Sequence, residues 1–495
     1  MTKQVLIMGG GFGGIASALR LKAMGLDVTL VDRCNKLGGR AQVYHHEGYQ
    51  HDAGPTVITA PHLFADLWSL FKQDMIDDVT MVPLKPWYQF VFNDQTYLNY
   101  GGSLEETIAE ISKINARDVP GYLNLLNESK QLYDIGFTEL SDQPFHKLNH
   151  LIQQVPSMLK LGCHQNVWQW VSKHLKDDRL RRAFSIQPLL VGGNPMNTTC
   201  IYGLIHYLER AHGIHFPVGG MGGLVKGLTQ LMQRVGINVI NQATVTKFDI
   251  QNASLKGIEV NNSTYLKADI FVSNLDPLYL YRALIPKSQQ TLAAQLKSKH
   301  SQISMGLFII YFGTRIQYPD VEHHTILFGD TYAPLLNDIF NKHILNNDIS
   351  IYLHRPTATD PMLAPKGHDG FYALVPVPNL LSQTNWQEAA EKLKKHTLMT
   401  LEKRILPNLN QHLTHCFYKT PIDFKQDYLS EYGAGFSIAP RFTQSAWFRF
   451  HNKAEGIKNL YLCGAGTHPG AGLPGVLSSA KIVTKLVETH ALTHA

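Results

Sequence analysis

The stretch QVLIMGGGFGGIASALRLKAMGLDVTLVD, residues 4–32, decides the fold of this chain. It begins with a short apolar run typical of a buried strand (QVLIM), followed by a glycine-rich turn (GGGFGG). A segment of helical composition (IASALRLKAM) and a second apolar run (VTLV) come next. A strand, a turn, a helix and a second strand in this order predict the first unit of a doubly wound parallel sheet.

The glycines of this turn and the acid that follows the second strand predict a dinucleotide site. Gly9, Gly11 and Gly14 form the pattern G-x-G-x-x-G, and Asp32 ends the second strand. Gly9 permits a tight turn, Gly11 lets a pyrophosphate approach the backbone, and Gly14 lets the helix pack on the strand. We therefore expect phosphates at the helix N-terminus and a ribose hydroxyl donating to Asp32.

Length, charge and cysteine content narrow the class of protein. The 495 residues exceed one ordinary core, so we expect at least two domains. The net charge of +6 does not indicate a nucleic-acid partner, although it suits an anionic lipid surface. Five scattered cysteines without a CxxC pair predict a reducing, cytoplasmic location with neither disulfides nor a zinc site. We expect no signal peptide, and no run approaches the roughly 18 apolar residues of a membrane span.

Two motifs after Asp32 carry a resemblance to a known superfamily. Residues 37–40 read LGGR and residues 52–56 read DAGPT. Together with the first unit they resemble the FAD-containing amine oxidases and phytoene desaturases, although these more often carry Glu at the position of Asp32. The resemblance implies FAD, with the GG-Arg turn at its phosphates and ribityl chain and the later turn near the flavin. The matching positions are Gly39, Arg40, Gly54, Pro55 and Thr56.

The resemblance continues along the whole chain. Residues 216–223 (FPVGGMGG) resemble a turn before a helix, and residues 237–248 resemble a strand whose Val245 meets the adenine through its backbone. Residues 268–276 (ADIFVSNLD) resemble a strand that returns to the FAD domain. Residues 460–480 (LYLCGAGTHPGAGLPGVLSSA) are similar to the C-terminal signature of the bacterial-type phytoene desaturases, and the chain is identified as a member of that family.

The loop THPGAGLPG, residues 467–475, lies between the last predicted strand and the last predicted helix. Its glycines allow backbone to approach a flat ring without interference from Cβ atoms, and Pro474 suits a first helical turn. A helix N-terminus stabilises the charge that a flavin gains around N1 and O2 on reduction. We therefore expect a flavin cradle, to which this motif contributes Gly464, Gly466, Gly472, Leu473 and Val476.

The sequence offers no catalytic side chain and no metal site. It lacks G-x-S-x-G, H-E-x-x-H and paired-cysteine motifs, which suits a flavin enzyme because the cofactor supplies the chemistry. His45–His46 and His323–His324 are adjacent pairs, which we expect to point to opposite faces of a strand and so not to share one metal. For His468, in the glycine-rich loop, we expect a structural role.

The resemblance implies an FAD-dependent desaturase of carotenoid biosynthesis. Such an enzyme introduces double bonds into a phytoene-like isoprenoid hydrocarbon by hydride transfer to flavin. Alternatives on the same scaffold are an oxidoreductase of thirty-carbon diapophytoene or squalene-derived chains, a carotenoid isomerase and a saturase. A non-catalytic prenyl-lipid carrier is a remoter alternative, which the intact glycines, Asp32 and Arg40 disfavour. The electron acceptor, oxygen or a quinone, is left open.

A membrane surface is the expected source of such a substrate. A forty-carbon chain leaving water would gain about 0.8 kcal/mol per methylene. The sum over the whole chain exceeds the strongest binding free energies observed, roughly −18 to −21 kcal/mol. Transfer from a membrane avoids this conflict, so we expect a peripherally membrane-associated protein. Residues 151–176 combine leucines, Trp168 and Trp170 with lysines, which is the mixture expected at an interface, and an internal helical subdomain is the alternative.

The predicted fold class is α/β. A Rossmann-type FAD-binding domain is interleaved with an α+β substrate domain that carries a helical, membrane-facing region. The cofactor motifs assign residues 1–100, 215–285 and 430–495 to the FAD-binding domain, and residues 101–214 and 286–429 to the substrate domain. The sheet of the substrate domain is expected to use residues 304–312 and 371–377, with helices such as residues 386–404.

Overall fold

The computed structural model describes residues 2–146, 156 and 161–492. A five-stranded sheet contains the glycine-rich turn, and all its neighbouring strands are parallel. Its central strand, Gln4–Met8, is buried over its last four residues, because helices cover both faces of a parallel sheet. The strand order is Leu460–Leu462, Ile270–Ser273, Gln4–Met8, Asp27–Val31 and Asn238–Ile240.

Three long helices bury their apolar residues in the core beside this sheet. Phe12–Ala23 and Leu473–Val487 pack closely together, and Gly220–Arg234 contributes leucines and methionines to the same hydrophobic cluster. Distant parts of the chain therefore meet at the carboxyl edge of the parallel strands. Ligands bind at this edge in open α/β sheets.

A mixed seven-stranded sheet forms the second layer. Its strands are antiparallel except for one parallel pair, Tyr88–Val91 with His324–Leu327. Tyr88–Val91 and Tyr97–Tyr100 thus pair with the sheet of the predicted substrate domain, although the sequence assigns residues 1–100 to the FAD-binding domain. The order is Leu413–Lys419, Gly306–Thr314, Asp369–Val377, Ile351–His354, His324–Leu327, Tyr88–Val91 and Tyr97–Tyr100.

Smaller sheets and further helices complete the described part. A three-stranded antiparallel sheet comprises Val245–Gln251, Ser254–Val260 and Thr264–Lys267. Two strand pairs join Val43–His46 to Tyr49–Asp52, and Met81–Pro83 to His215–Pro217. The remaining α-helices of five residues or more in the described chain are His62–Ser69, Leu104–Asn115, Val119–Tyr133, Val167–His174, Asp178–Phe184, Leu204–His212, Leu292–His300, Ala333–Asn337, Trp386–Arg404 and Pro421–Tyr428.

The tryptophans of the predicted interface segment lie in a packed helical layer. Residues 151–155 and 157–160 lie outside the described residues, whereas Val167–His174 is a helix that begins with a capping box at Asn166. Trp170 is buried and donates from Nε1 to Oε2 of Glu128 at 2.8 Å, and Trp168 packs against the ring of Tyr332. Assigning Trp170 to a membrane interface is therefore wrong. In the described residues, no helix is long and apolar enough to cross a membrane.

Candidate active site

A cavity of about 400 Å³ is lined by residues from both large sheets. The sequence-predicted site residues converge on it from six separate segments, and all of them except Gly14 line its wall. Those lining the wall are Gly9, Gly11, Asp32, Gly39, Arg40, Gly54, Pro55, Thr56, Val245, Gly464, Gly466, Gly472, Leu473 and Val476. Gly14 lies in the first turn of its helix, where a Cβ would collide with the carbonyl oxygen of Gly9. The third glycine of the motif thus permits packing of helix on turn.

Asp32 holds the glycine-rich turn in place. Its Oδ2 accepts from the backbone N–H of Gly10 at 2.5 Å, and its Oδ1 accepts from that of Cys34 at 2.7 Å. Asp32 is buried at the carboxyl end of its strand. Each oxygen retains a lone pair that can accept from a ligand hydroxyl.

Asn274 was not recognised in the sequence, yet it joins the two glycine-rich motifs. Cβ atoms built on Gly11 and Gly464 would lie 2.8 and 2.7 Å from its side chain, and one on Gly13 would lie 2.5 Å away. The glycines therefore make room for Asn274 as well as for a ligand. Its position one residue after the strand Ile270–Ser273, at the ligand-binding edge of a parallel sheet, was the available signal.

Arg40 and Asp276 place opposite charges on the cavity wall. Arg40 Nη2 donates to Ser430 Oγ at 2.9 Å and to the carbonyl of Ala434 at 3.3 Å. Burial lowers the pKa of Arg40, and the carboxylate of Asp276 opposes that shift. Burial raises the pKa of Asp276, whose Oδ2 has no hydrogen-bond partner among the described residues. Arg40 can donate further bonds and Asp276 can accept one, so both can hold a polar ligand.

Two helices begin at the cavity without side-chain caps. Phe12–Ala23 follows Gly11 and Leu473–Val487 follows Gly472, and neither has an acidic residue in its first turn within the described chain. Free N–H groups and the helix dipole at such ends favour negative charge. By contrast, the N-terminus of the helix Gly220–Arg234 has an acidic partner: Asp52 accepts from the N–H of Met221 at 3.0 Å. Burial raises the pKa of Asp52 to about 7, although the backbone donors oppose the shift.

These features fit FAD. Two uncapped helix N-termini, a partly buried arginine and a buried aspartate oxygen without a partner match a ligand that carries phosphates, hydroxyls and an electron-accepting ring. Glycines at the closest approaches leave room for that ring.

Arg449 supports the C-terminal loop from beneath, and sequence reasoning also missed it. This arginine is 1% exposed, and its guanidinium donates to four backbone carbonyls. The acceptors are Ala465 at 2.7 Å, Thr467 at 3.0 Å, Ile438 at 3.3 Å and Gln444 at 3.3 Å. Two of them belong to the strand-to-helix loop, so Arg449 fixes the course of that loop beside the cavity.

The other end of the cavity is apolar. Its tyrosine hydroxyls bond to protein: Tyr332 to Ser185 Oγ at 3.0 Å, Tyr352 to Thr56 Oγ1 at 2.6 Å, and Tyr372 to the carbonyl of Gly54 at 3.3 Å. Most of the other residues that line this end are apolar, including Leu189, Leu307, Ile326, Phe328, Leu336 and Leu374. This end therefore suits a ligand without polar groups.

A second cavity, of about 260 Å³, shares residues 471–473 with the first. His468 lines this second cavity, and burial lowers the pKa of its imidazole to about 3. Glu209 also lines it; burial raises the pKa of this carboxyl to about 8, and Tyr88 donates to it at 3.2 Å. Two further lining residues, Phe442 and Phe448, are 46% and 39% exposed, so the cavity reaches the protein surface.

One expectation about histidines is wrong. His323 precedes the strand His324–Leu327, so the alternation of side chains along a strand does not apply to the pair. The two rings lie side by side, with centroids 4.6 Å apart. The strand Val43–His46 contains the other adjacent pair.

Comparison with known proteins agrees with this site. The pattern of the flavin containing amine oxidoreductase family matches residues 12–487. The chain is 40% identical to a lycopene-forming phytoene desaturase of a Paracoccus species, over 98% of this chain and 97% of that one. It is 38% identical to a neurosporene-forming phytoene desaturase of Cereibacter sphaeroides, over 98% and 94%. The fold is similar to an oxidoreductase from Methanosarcina mazei, with a TM-score of 0.67, 16% identity and coverage of 97% and 100%. The chain therefore belongs to the flavin containing amine oxidoreductase family, within its phytoene desaturases, and is an FAD-dependent oxidoreductase.

Proposed function

We propose that this protein desaturates a long phytoene-like isoprenoid hydrocarbon in carotenoid biosynthesis. The observation that carries the proposal is the division of one cavity into a polar end, with helix N-termini, and an apolar end. A cofactor with phosphates fits the first, and a hydrocarbon without polar groups fits the second. The relatives named phytoene desaturases support this choice of substrate.

The polar end would hold FAD as follows. The turn from Gly9 to Gly14 and the helix behind it would receive the phosphates, Arg40 would donate to them, and Asp32 would accept from a ribose hydroxyl. The backbone at Val245 would hold the adenine, and residues 54–56 and 464–476 would hold the ring. When bound, FAD supplies the two-electron acceptor for hydride removal from carbon.

The apolar end would orient the hydrocarbon and exclude water. Tyr332, Tyr352 and Tyr372 have their hydroxyls bonded to protein, so they offer the substrate mainly ring surface. Among the described lining residues of this end, outside the polar region, no side chain carries a full charge at neutral pH. The protein thus positions the chain by shape and apolar contact, and we assign no general base.

The second cavity would extend the space for the hydrocarbon and give it access to lipid. It meets the first cavity at Ala471, and the exposed Phe442 and Phe448 line it at the surface. Apolar rings at an opening, together with a positive net charge, favour contact with an anionic membrane. We therefore place the membrane-facing surface at these phenylalanines rather than at Trp170.

Ala471, at the junction of the two cavities, tests this arrangement. Gly472 is a poorer position, because its φ of +95° makes any side chain strained there whether or not a ring lies beside it. Ala471→Phe should fill the junction without that strain, and Ala471→Ser is the size-matched control. In a host that makes phytoene, chromatography should show desaturated pigment with the unchanged chain and Ala471→Ser, and a large loss with Ala471→Phe. Undiminished pigment with Ala471→Phe, or no pigment with flavin-loaded unchanged chain, would contradict the proposal.

A further inference from the structure

Three histidines form a buried cluster apart from the cofactor motifs. His324 and His354 are direct partners on adjacent antiparallel strands, and His323 precedes the first of these strands. The ring centroids lie 4.6, 4.8 and 5.3 Å apart, and one ligand nitrogen from each lies within 4.8 Å of the others. The exposed fractions are 4%, 0% and 0% for His323, His324 and His354.

Hydrogen bonds on the outer side of the cluster orient two of these rings. His323 Nδ1 bonds to Thr359 Oγ1 at 2.7 Å, and His324 Nδ1 bonds to the hydroxyl of Tyr352 at 2.7 Å. The Nε2 atoms of both, and both nitrogens of His354, are buried without a hydrogen-bond partner in the described chain. Buried polar atoms without partners are costly, and an ion or ordered water between the rings would satisfy them together.

We propose that His323, His324 and His354 bind one divalent transition-metal ion of the zinc type. Thr359 and Tyr352 would act as the outer partners that fix tautomer and ring orientation at metal-bound histidines. Tetrahedral zinc holds ligand nitrogens at about 2.0–2.1 Å, which places them roughly 3.3 Å apart. Zinc binding would therefore need ring rotations that close the nitrogens from within 4.8 Å to that spacing. Three protein ligands leave the fourth position to water.

The electrostatic surroundings favour neutral imidazole ligands. All three imidazoles are buried, and burial disfavours the charged form of an imidazole. A neutral imidazole keeps a lone pair that can bind a metal ion. Arg355 adds positive charge near His323, but its Nε donates to Asp369 Oδ2 at 2.9 Å. A ligand set of imidazoles selects zinc, copper or nickel over calcium and magnesium.

The metal would brace the wall of the main cavity. Tyr352, which bonds to His324 at one side, also bonds to Thr56 Oγ1 at 2.6 Å, and both residues line that cavity. A bound ion would thus link the two histidine-bearing strands and fix the hydroxyl that orients Thr56. This is a positioning role, separate from hydride removal.

Metal content of the full flavin-loaded protein, purified without a histidine tag and reconstituted with Zn²⁺, tests the site. We expect about one zinc per chain after removal of loosely held ions. His354→Gln should lose this zinc, and His300→Gln, a change of an exposed histidine outside the cluster, should keep it. In a competition with a chelator, Thr359→Val should bind zinc about 10–100-fold more weakly, because it removes the partner of His323.

A second measurement uses only the unchanged protein, so it applies even if His354→Gln does not fold. Chelator-treated and zinc-reconstituted samples of the unchanged protein should differ in melting temperature, with the zinc form higher. Zinc content no greater than that of folded His354→Gln would overturn the proposal and leave a cluster that holds only water. Equal melting temperatures with no retained zinc would do the same.

Discussion

Arg449 offers a test of how the protein fixes the loop beside the flavin. Arg449→Met keeps much of the side chain's volume and removes the donors to Ala465, Thr467, Ile438 and Gln444. Each buried acceptor left unsatisfied costs about 1–3 kcal/mol, so four give roughly 4–12 kcal/mol as an upper range. Two effects make the loss smaller than this sum. Water can enter and satisfy some of the carbonyls, and the variant no longer buries a guanidinium charge, whose desolvation lowers the pKa of Arg449. We expect a net loss of about 3 kcal/mol.

Thermal unfolding and flavin retention measure the effect. At roughly 2 °C per kcal/mol for a large domain, Arg449→Met should melt about 6 °C lower and should lose FAD on gel filtration. Arg449→Lys, which keeps a charge and some of the donors, should lie between this variant and the unchanged protein. If Arg449→Met melts within a degree of the unchanged protein and retains its FAD, the loop does not depend on these hydrogen bonds.

Variants of Arg40, of Phe442 with Phe448, and of Glu209 test other parts of the two cavities. Arg40→Ala should weaken FAD binding by about 1.5–3 kcal/mol, roughly 10- to 150-fold, because a charge-assisted contact is lost; unchanged affinity in a reconstitution titration would refute the role of Arg40. The double change Phe442→Ser and Phe448→Ser should reduce flotation with anionic liposomes at normal flavin content. The control Met362→Ser, at an 87% exposed side chain outside the second cavity, should not reduce it. Equal flotation of the two variants would contradict the proposed surface. Burial raises the pKa of Glu209 to about 8, so the folded protein favours the protonated carboxyl. This stabilisation is fully present below the ordinary pKa of 4.5 and is lost as the pH rises through about 8. Glu209→Gln should remove a fall in the free energy of unfolding of about 1.4 kcal/mol per pH unit between about pH 4.5 and 8, and identical pH profiles of the two proteins would refute this.

The sequence predicted what depends on local backbone geometry. Gly9 and Gly472 have positive φ, and Gly14 must clear the carbonyl of Gly9. These reasons act within a few residues, so the spacing of the glycines reveals them. Asn274 and Arg449 could not be identified in this way, because their partners come from other segments of the chain. Their roles arise only when the chain has folded.

Composition does not distinguish two environments that favour the same residues. A helix with tryptophan and lysine suits a membrane interface, but Trp170 instead packs in the protein and bonds to Glu128, 42 residues earlier. The prediction for His323 and His324 was wrong for a different reason, because the strand begins at His324 and so contains only one of the two residues. The sequence did not predict that Tyr88–Val91 and Tyr97–Tyr100 join the seven-stranded sheet, because pairing between distant strands has no local sequence signal.

The central claim is that one cavity brings FAD and a long hydrocarbon together for desaturation. The most direct measurement mixes the FAD-loaded protein with phytoene in anionic liposomes, without oxygen or another electron acceptor, and records the absorption spectrum. We expect the flavin absorption to bleach while the longer-wavelength bands of an extended polyene appear, in proportion to the enzyme present. Unchanged flavin absorption and no new polyene bands, with a folded and fully FAD-loaded protein, would contradict it.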